Sequence, residues 1–203
     1  MHLEKFPFYK SLEEDAKLFL KEHLQKIKIT KDSILFYQGD ICDKILFLTS
    51  GEVRLYIQSD EAEEITLYHL HPGEQCIVNT ASTLSQTEAI ANALALSDIE
   101  GYMLDMQSVK ELAKMSESYQ NFLFSIYTLR MGDLAKLIND IKFKKLDQRV
   151  LEWLHNQHTN EIKTTHETIA NELGSTREVI SKVLKRLEQQ DLLTLKRGTI
   201  LLM

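Results

Sequence analysis

Three features of the sequence predict an α+β chain. Between Ile27 and about Leu104, short apolar runs alternate with a two-residue period; from Tyr119 to Ile141 the period becomes helical and no proline interrupts it. The last third then reads as a helix, a tight turn, a second helix and two short strands. The predicted architecture is an N-terminal β-roll of the double-stranded jelly-roll type over residues 1–118, a long helix over 119–141, and a small helical domain closed by a hairpin over 142–203.

Each element has a local reason. In residues 1–25, Leu12-Glu13-Glu14-Asp15 opens a helical run through Leu18, Phe19, Leu20 and Leu24. The strands are placed at Ile34–Tyr37, Ile45–Leu48, Val53–Ile57, Ile65–Leu70 and Ala89–Leu96, separated by the turn signals Gly39-Asp40, Ser50-Gly51 and His71-Pro72-Gly73. Short strands at near-regular spacing favour a compact roll. On the long helix, Phe122, Ile126 and Leu129 make one apolar stripe, and Leu123, Tyr127, Leu134, Leu137 and Ile141 a second. One face can pack on the roll and the other on a partner, so a symmetric homodimer is expected, with Phe122, Ile126, Leu129, Leu134, Leu137 and Ile141 at its interface. Four of the seven residues from Ile141 to Asp147 are charged, which places the domain boundary there. A further helix over 144–156 carries Trp153 as core.

Composition narrows the function. With 203 residues, 43% apolar and 27% charged, the chain is of the ordinary globular type. No stretch reaches the ~18 apolar residues of a membrane span and no signal pattern opens the sequence, so a cytoplasmic protein without a membrane partner is expected. The two cysteines, Cys42 and Cys76, exclude a disulfide framework and, within one chain, a four-cysteine zinc or iron–sulfur site. There is no phosphate-cradling glycine loop, Gly-x-Ser-x-Gly elbow or His-Glu-x-x-His helix, so no enzymatic constellation is present. The net charge of −6 is unevenly spread: residues 142–203 hold 11 Lys and Arg against 8 Asp and Glu, leaving 13 against 22 in the rest. A basic C-terminal domain on an acidic partner fits a module that approaches phosphates.

The segment Thr165 to Leu187 carries the strongest motif. Thr165 or His166 opens a helix with Ile169, Ala170 and Leu173 inward; Gly174 ends it; Ser175 or Thr176 caps a second helix with Val179, Ile180, Val183, Leu184 and Leu187 inward. Arg177, Glu178, Ser181, Lys182 and Lys185 then face outward, residue types suited to base edges and phosphates. Leu192–Leu195 and Thr199–Leu202 form a hairpin around the basic turn Lys196-Arg197-Gly198. This is a winged helix-turn-helix, and DNA binding is the expected function. The rival is an effector-binding protein whose winged helix contacts another protein.

At this point nearly the whole chain resembles the Crp/Fnr family of bacterial transcription regulators. The landmarks are Tyr37-Gln38-Gly39-Asp40, Ile45 through Val53, His71-Pro72-Gly73-Glu74, and Leu173 through Leu187. The resemblance implies a homodimer that binds double-stranded promoter DNA at an inverted repeat, is switched by a signal sensed in the roll, and contacts RNA polymerase if it activates. Base readout is implied for Arg177, Glu178, Ser181 and Lys182, with a TGTGA- or TTGAT-like half-site loosened where Lys182 stands in place of the family's arginine. Thr165, Ser175, Thr176, Lys185, Lys196 and Arg197 are the candidate phosphate contacts.

The signal is less legible. Gly73 and Glu74 match the turn that holds the phosphate in cyclic-nucleotide-binding relatives, but no Arg or Lys lies between Gln75 and Lys110, so cyclic AMP is not the expected effector. Residues 1–41 hold no cysteine, unlike the iron–sulfur oxygen sensors. The stretch Glu64–Asn79 is similar to the haem-containing gas sensors, although Asn79 stands where their histidine is found. The candidate effector pocket is therefore Gly73, Glu74, Cys76 and Asn79, with His69, His71 and Cys76 as candidate ligands of haem or another metal for sensing nitric oxide or carbon monoxide. Cys76 is also a candidate redox-reactive thiol, and His155, His158 and His166 form a weaker candidate metal set.

Overall fold

Alternating apolar runs become strands because one face of each can be buried. In the computed structural model, which describes residues 3–203, they form β1 (Gln25–Ile29), β2 (Ile34–Phe36), β3 (Lys44–Ser50), β4 (Val53–Gln58), β5 (Glu64–Leu70), β6 (Asn92–Ala95) and β7 (Ile99–Asp105). They assemble into two sheets, ordered β1-β7-β3 and β2-β6-β4-β5. The α+β roll is thus present as expected, except that Met1 and His2 of the 1–118 segment lie outside the described residues. Before it come two short 3-10 turns and α1 (Glu14–His23). One core cluster joins Phe6, Phe8, Ala16 and Leu20 to Phe47, Leu104, Leu112 and Tyr119; a second fills the roll around Leu46, Leu48, Leu55, Leu70 and Ala93.

The segment 77–96 departs from the sequence reading. A helix, α2 (Ile77–Ser85), precedes β6, and the strand expected over Ala89–Leu96 is confined to Asn92–Ala95. Its sequence, Ile-Val-Asn-Thr-Ala-Ser-Thr-Leu-Ser, is rich in β-branched and hydroxyl residues that are poor helix formers. Burial overrides propensity here: the Thr80 hydroxyl donates to the Cys76 carbonyl at 2.6 Å and the Thr83 hydroxyl to that of Lys44 at 3.3 Å, so the hydroxyls are satisfied inside. α3 (Met106–Met115) follows β7, with Asp105 capping the Ser108 N–H at 3.0 Å.

The long helix, α4, runs from Glu117 to Phe143, two residues beyond the expected span at each end. The chain divides into two compact units within it: one holds the residues through Ile57 with Leu67–Asp133, the other Gln58–Thr66 with Leu134–Met203. The C-terminal domain comprises α5 (Leu146–His155), α6 (His166–Leu173), α7 (Arg177–Gln189) and a three-stranded sheet. That sheet is ordered β8 (Glu161–Lys163), β10 (Thr199–Leu202), β9 (Leu193–Lys196). Strand β8, only three residues long, has no pattern of its own and exists because Ile162 pairs with Ile200 and closes the core. That core is Val150, Leu154, Ile169, Ala170, Ile180, Val183, Leu184 and Leu187, with Trp153 packed on it. His158 lies past the end of α5 with a left-handed φ of 54°, so it does not share a helix face with His155. Among the described residues no helix is long and apolar enough to cross a membrane.

Candidate functional site

The two helices of the C-terminal motif are fixed by their caps. Thr165 accepts the Thr168 N–H at 3.0 Å and opens α6; Gly174, at φ +61°, closes it with its N–H on the Ala170 carbonyl. Thr176 accepts the Val179 N–H at 3.4 Å and opens α7. Thr165 and Thr176 therefore use an oxygen lone pair as helix caps, and the Thr165 hydroxyl also lies 2.9 Å from that of Thr168. Arg186 pairs with Asp147 at 2.6 Å and ties α7 to α5.

The surface of α7 differs from expectation at two positions. Arg177, Glu178, Lys182 and Lys185 are exposed as predicted, and Ser175 and Thr176 are half-buried. Val179, assigned inward, is 41% exposed, because the core stripe is completed by Ile180, Val183, Leu184 and Leu187 and leaves Val179 on its flank. Ser181, assigned outward, is half-buried: its hydroxyl donates to the Arg177 carbonyl at 2.8 Å and lies 2.7 Å from His166 Nδ1. A hydroxyl has one hydrogen, so with that hydrogen on the carbonyl, His166 donates from Nδ1. The contact between His166 and Ser181 has no local sequence signal, since it depends on how α6 crosses α7.

The wing completes the surface. Lys196 and Arg197 are exposed at the turn, where Gly198 has a φ of +72°. Thr165, His166, Arg177, Lys196 and Gly198 line one cleft of about 470 Å³ between the start of α6, the start of α7 and the hairpin. Two helix N-termini and three cationic side chains on this side of the domain make a surface suited to a polyanion. Burial first, then Arg177 and Lys185, hold the His166 pKa below its usual value.

On α4, Phe122 and Ile126 are half-buried and pack against the roll's own core. Phe124 (72% exposed), Met131 (67%) and Ile138 (66%) recur every seven residues, and Tyr127, Leu134 and Ile141 each follow one of them by three. These exposed apolar positions have the spacing of a heptad repeat, and Phe124, Met131 and Ile138 stand out only once the roll has covered the other side of α4. Leu129 is exposed and Leu137 half-buried beside it.

In the roll, residues 73–76 run antiparallel to β3: Gly73 N–H donates to Leu48 O at 2.8 Å, Leu48 N–H to Glu74 O at 3.0 Å, and Cys76 N–H to Leu46 O at 3.0 Å. Gly73 is required, with φ +93° and a Lys5 carbonyl oxygen 2.8 Å from where a Cβ would lie. Glu74 does have a basic partner, one beyond the stretch searched in the sequence. Arg130 of α4 donates to it at 3.1 Å and to Asp133 at 2.9 Å, and lies 4.2 Å over the Tyr68 ring. A buried chain also ties α4 to α2: Tyr119 hydroxyl to Gln75 Oε1 at 3.1 Å, Gln75 Nε2 to Thr80 Oγ1 at 2.9 Å.

The candidate metal ligands do not converge. Cys76 is buried and desolvation pushes its thiol up to about 11, with the Tyr68 hydroxyl beside it. His69 Nδ1 is 2.7 Å from Glu52 and its ring stacks with His71 at 6.3 Å. Among the described residues no group of three or more His, Cys, Asp and Glu could hold a metal, the set His155, His158 and His166 included. Asn79, 2% exposed, lines a different cleft, of about 300 Å³, with Phe36, Cys42 and Met103.

Comparison with known proteins agrees with this geometry. Residues 26–116 match the cyclic nucleotide-binding domain and residues 148–203 the Crp-like helix-turn-helix domain. The chain is similar to a structurally solved transcriptional regulator of the Crp/Fnr family from Eubacterium rectale, with 33% identity, a TM-score of 0.84, and coverage of 98% of this chain and 94% of that one. It is 25% identical over 193 residues to the cAMP-activated global transcriptional regulator Vfr of Pseudomonas aeruginosa, spanning 89% of this chain and 90% of Vfr. With the cyclic AMP receptor protein of Thermus thermophilus it shares 27% identity over 82% of this chain and 78% of the relative. The chain belongs to the Crp/Fnr family of transcription regulators, with a cyclic-nucleotide-binding-type roll and a helix-turn-helix DNA-binding domain.

Proposed function

We propose that the protein acts as a homodimer on an inverted-repeat promoter site, and that a small molecule entering the roll near Glu74 and Arg130 switches it. The observation that carries the DNA reading is the shared surface of α7 and the wing: exposed Arg177, Glu178 and Lys182 on the first turns of the recognition helix, with Lys196 and Arg197 flanking them. Arg177 can give two hydrogen bonds to a guanine and Glu178 can accept from a cytosine amine. Lys185, Lys196, Arg197 and the cap hydroxyls of Thr165 and Thr176 supply phosphate contacts.

Two copies joined along Phe124, Tyr127, Met131, Leu134, Ile138 and Ile141 would present two recognition helices, as an inverted repeat requires. The effector side follows from charge. Arg130 is already paired with two carboxylates, Glu74 and Asp133, so the three together sum to −1 and a phosphodiester anion gains little there. A ligand that withdraws Glu74 or Arg130 would shift α4 directly, and the Tyr119–Gln75–Thr80 chain couples the same helix to α2.

The test is a mobility-shift titration of the full chain with selected inverted-repeat duplexes over a salt series. Binding whose log K falls linearly with log salt, by about 0.9 per phosphate contacted, supports the reading. Binding that is absent or indifferent to salt would instead favour a winged helix used for protein contact.

A further inference from the structure

Ser181 and Val179 have exchanged the roles that their chemistry would assign them. The Ser181 hydroxyl is already engaged within the motif, 2.8 Å from the Arg177 carbonyl and 2.7 Å from His166 Nδ1. Val179 stands in solvent at 41% exposure on the first turn of α7, three residues before Lys182 and next to Glu178. Nothing within the domain accounts for it: the core closes without it, and a β-branched side chain on an exposed helical turn disfavours the helix relative to alanine. The base edge that an apolar side chain can read in the major groove is the thymine methyl group.

We infer that Val179 is a specificity-determining residue that contacts a thymine methyl in each half-site, between the positions read by Glu178 and Lys182. This rests on the DNA-binding reading above and refines it: readout combines polar contacts from Arg177, Glu178 and Lys182 with one apolar contact, and Ser181 is structural. Lys182 lies one helical turn from Val179, so the methyl contact falls next to the base that lysine touches as a single-point donor.

The experiment replaces thymine by uracil, which differs only by that methyl, at each position of a half-site selected from random duplexes by the full-length protein at low salt. The expected result is one position per half-site where the wild type loses about fourfold in affinity, the worth of one buried methyl-sized group. Val179→Ala should bind the two duplexes equally at that position, while Val179→Thr, which keeps one methyl, retains part of the difference. Because Val179 lies outside the core, neither variant should unfold at a markedly lower denaturant concentration than the parent. A wild type indifferent to uracil at every position, or a Val179→Ala variant as sensitive as the wild type, overturns the inference while leaving salt-sensitive DNA binding intact. Loss of salt-sensitive binding to every duplex would overturn both readings, and so the two failures are distinct.

Discussion

His166 Nδ1 lies 2.7 Å from Ser181 Oγ, so the first residue of α6 holds the middle of α7's first two turns. This bond braces α6 against the recognition helix, whose outward face is set by the core stripe Ile180, Val183, Leu184 and Leu187. It also makes the motif sensitive to protonation. Burial, then Arg177 and Lys185, lower the His166 pKa from an ordinary value of 6.5; Lys196 lines the same cleft, and Glu167 is the nearest acid in sequence.

A folded-state pKa below the unfolded one means that the unfolded chain binds the proton more readily. Stability is then full above 6.5 and falls as pH drops through that value towards the lowered one. His166→Asn, which keeps a donor near Nδ1 but does not titrate, should remove this part of the slope. Urea midpoints at about pH 7.5 and about pH 5.5 for both proteins measure it; equal slopes would show that His166 contributes none.

Arg177→Ala should cost about 1–3 kcal/mol on a selected site and relax selectivity at one symmetric base pair. Lys196→Ala should act differently, weakening all sequences alike and reducing the salt slope by about 1. Competition against a scrambled duplex separates the two patterns. Equal binding of Arg177→Ala and the parent to the selected site would remove Arg177 from base readout.

The seam on α4 predicts that Met131→Glu and Ile138→Glu yield monomers. Each removes burial worth about 1.5–3 kcal/mol per copy, and two copies lose it together, so the dimer dissociation constant should rise about a hundredfold or more. Sedimentation equilibrium is the measurement. Phe122→Glu should instead lower the unfolding midpoint, because Phe122 packs against Phe8 within the chain at a ring distance of 4.5 Å.

Arg130→Met leaves Glu74 and Asp133 without their shared cation. With partners one-third or more exposed, screening limits the loss to about 1–2 kcal/mol, read by denaturant unfolding. Adding Glu74→Gln to it should recover part of the loss; no recovery would mean that the pair acts through packing on Tyr68.

Cys76, buried and with its thiol raised to about 11, should resist thiol reagents in the native protein. Cys42 is half-buried and should be modified first, and both should react once the chain is unfolded. Rapid labelling of native Cys76 would contradict the placement of that side chain and revive a thiol-based sensor.

The order of the elements and the helix-turn-helix domain are legible in the chain without its fold. Two-residue and helical periods, Gly174 at a position that needs positive φ, and threonines at two helix starts are local signals, and they survive folding because backbone geometry demands them. Which side of an apolar helix faces inward is settled by packing between elements. Phe122 and Phe124 are equivalent by type, yet one packs against the roll and the other is exposed, because the roll occupies one side of α4. Ser181 is half-buried and Val179 uncovered for the same reason: the crossing of α6 over α7 brings His166 to the hydroxyl and leaves the valine outside the core. Helix α2, built from weak helix formers, exists through burial, and Arg130 reaches Glu74 across 56 residues of sequence. Contacts of that range carry no local signal, because they are set by packing between elements rather than by the period within one.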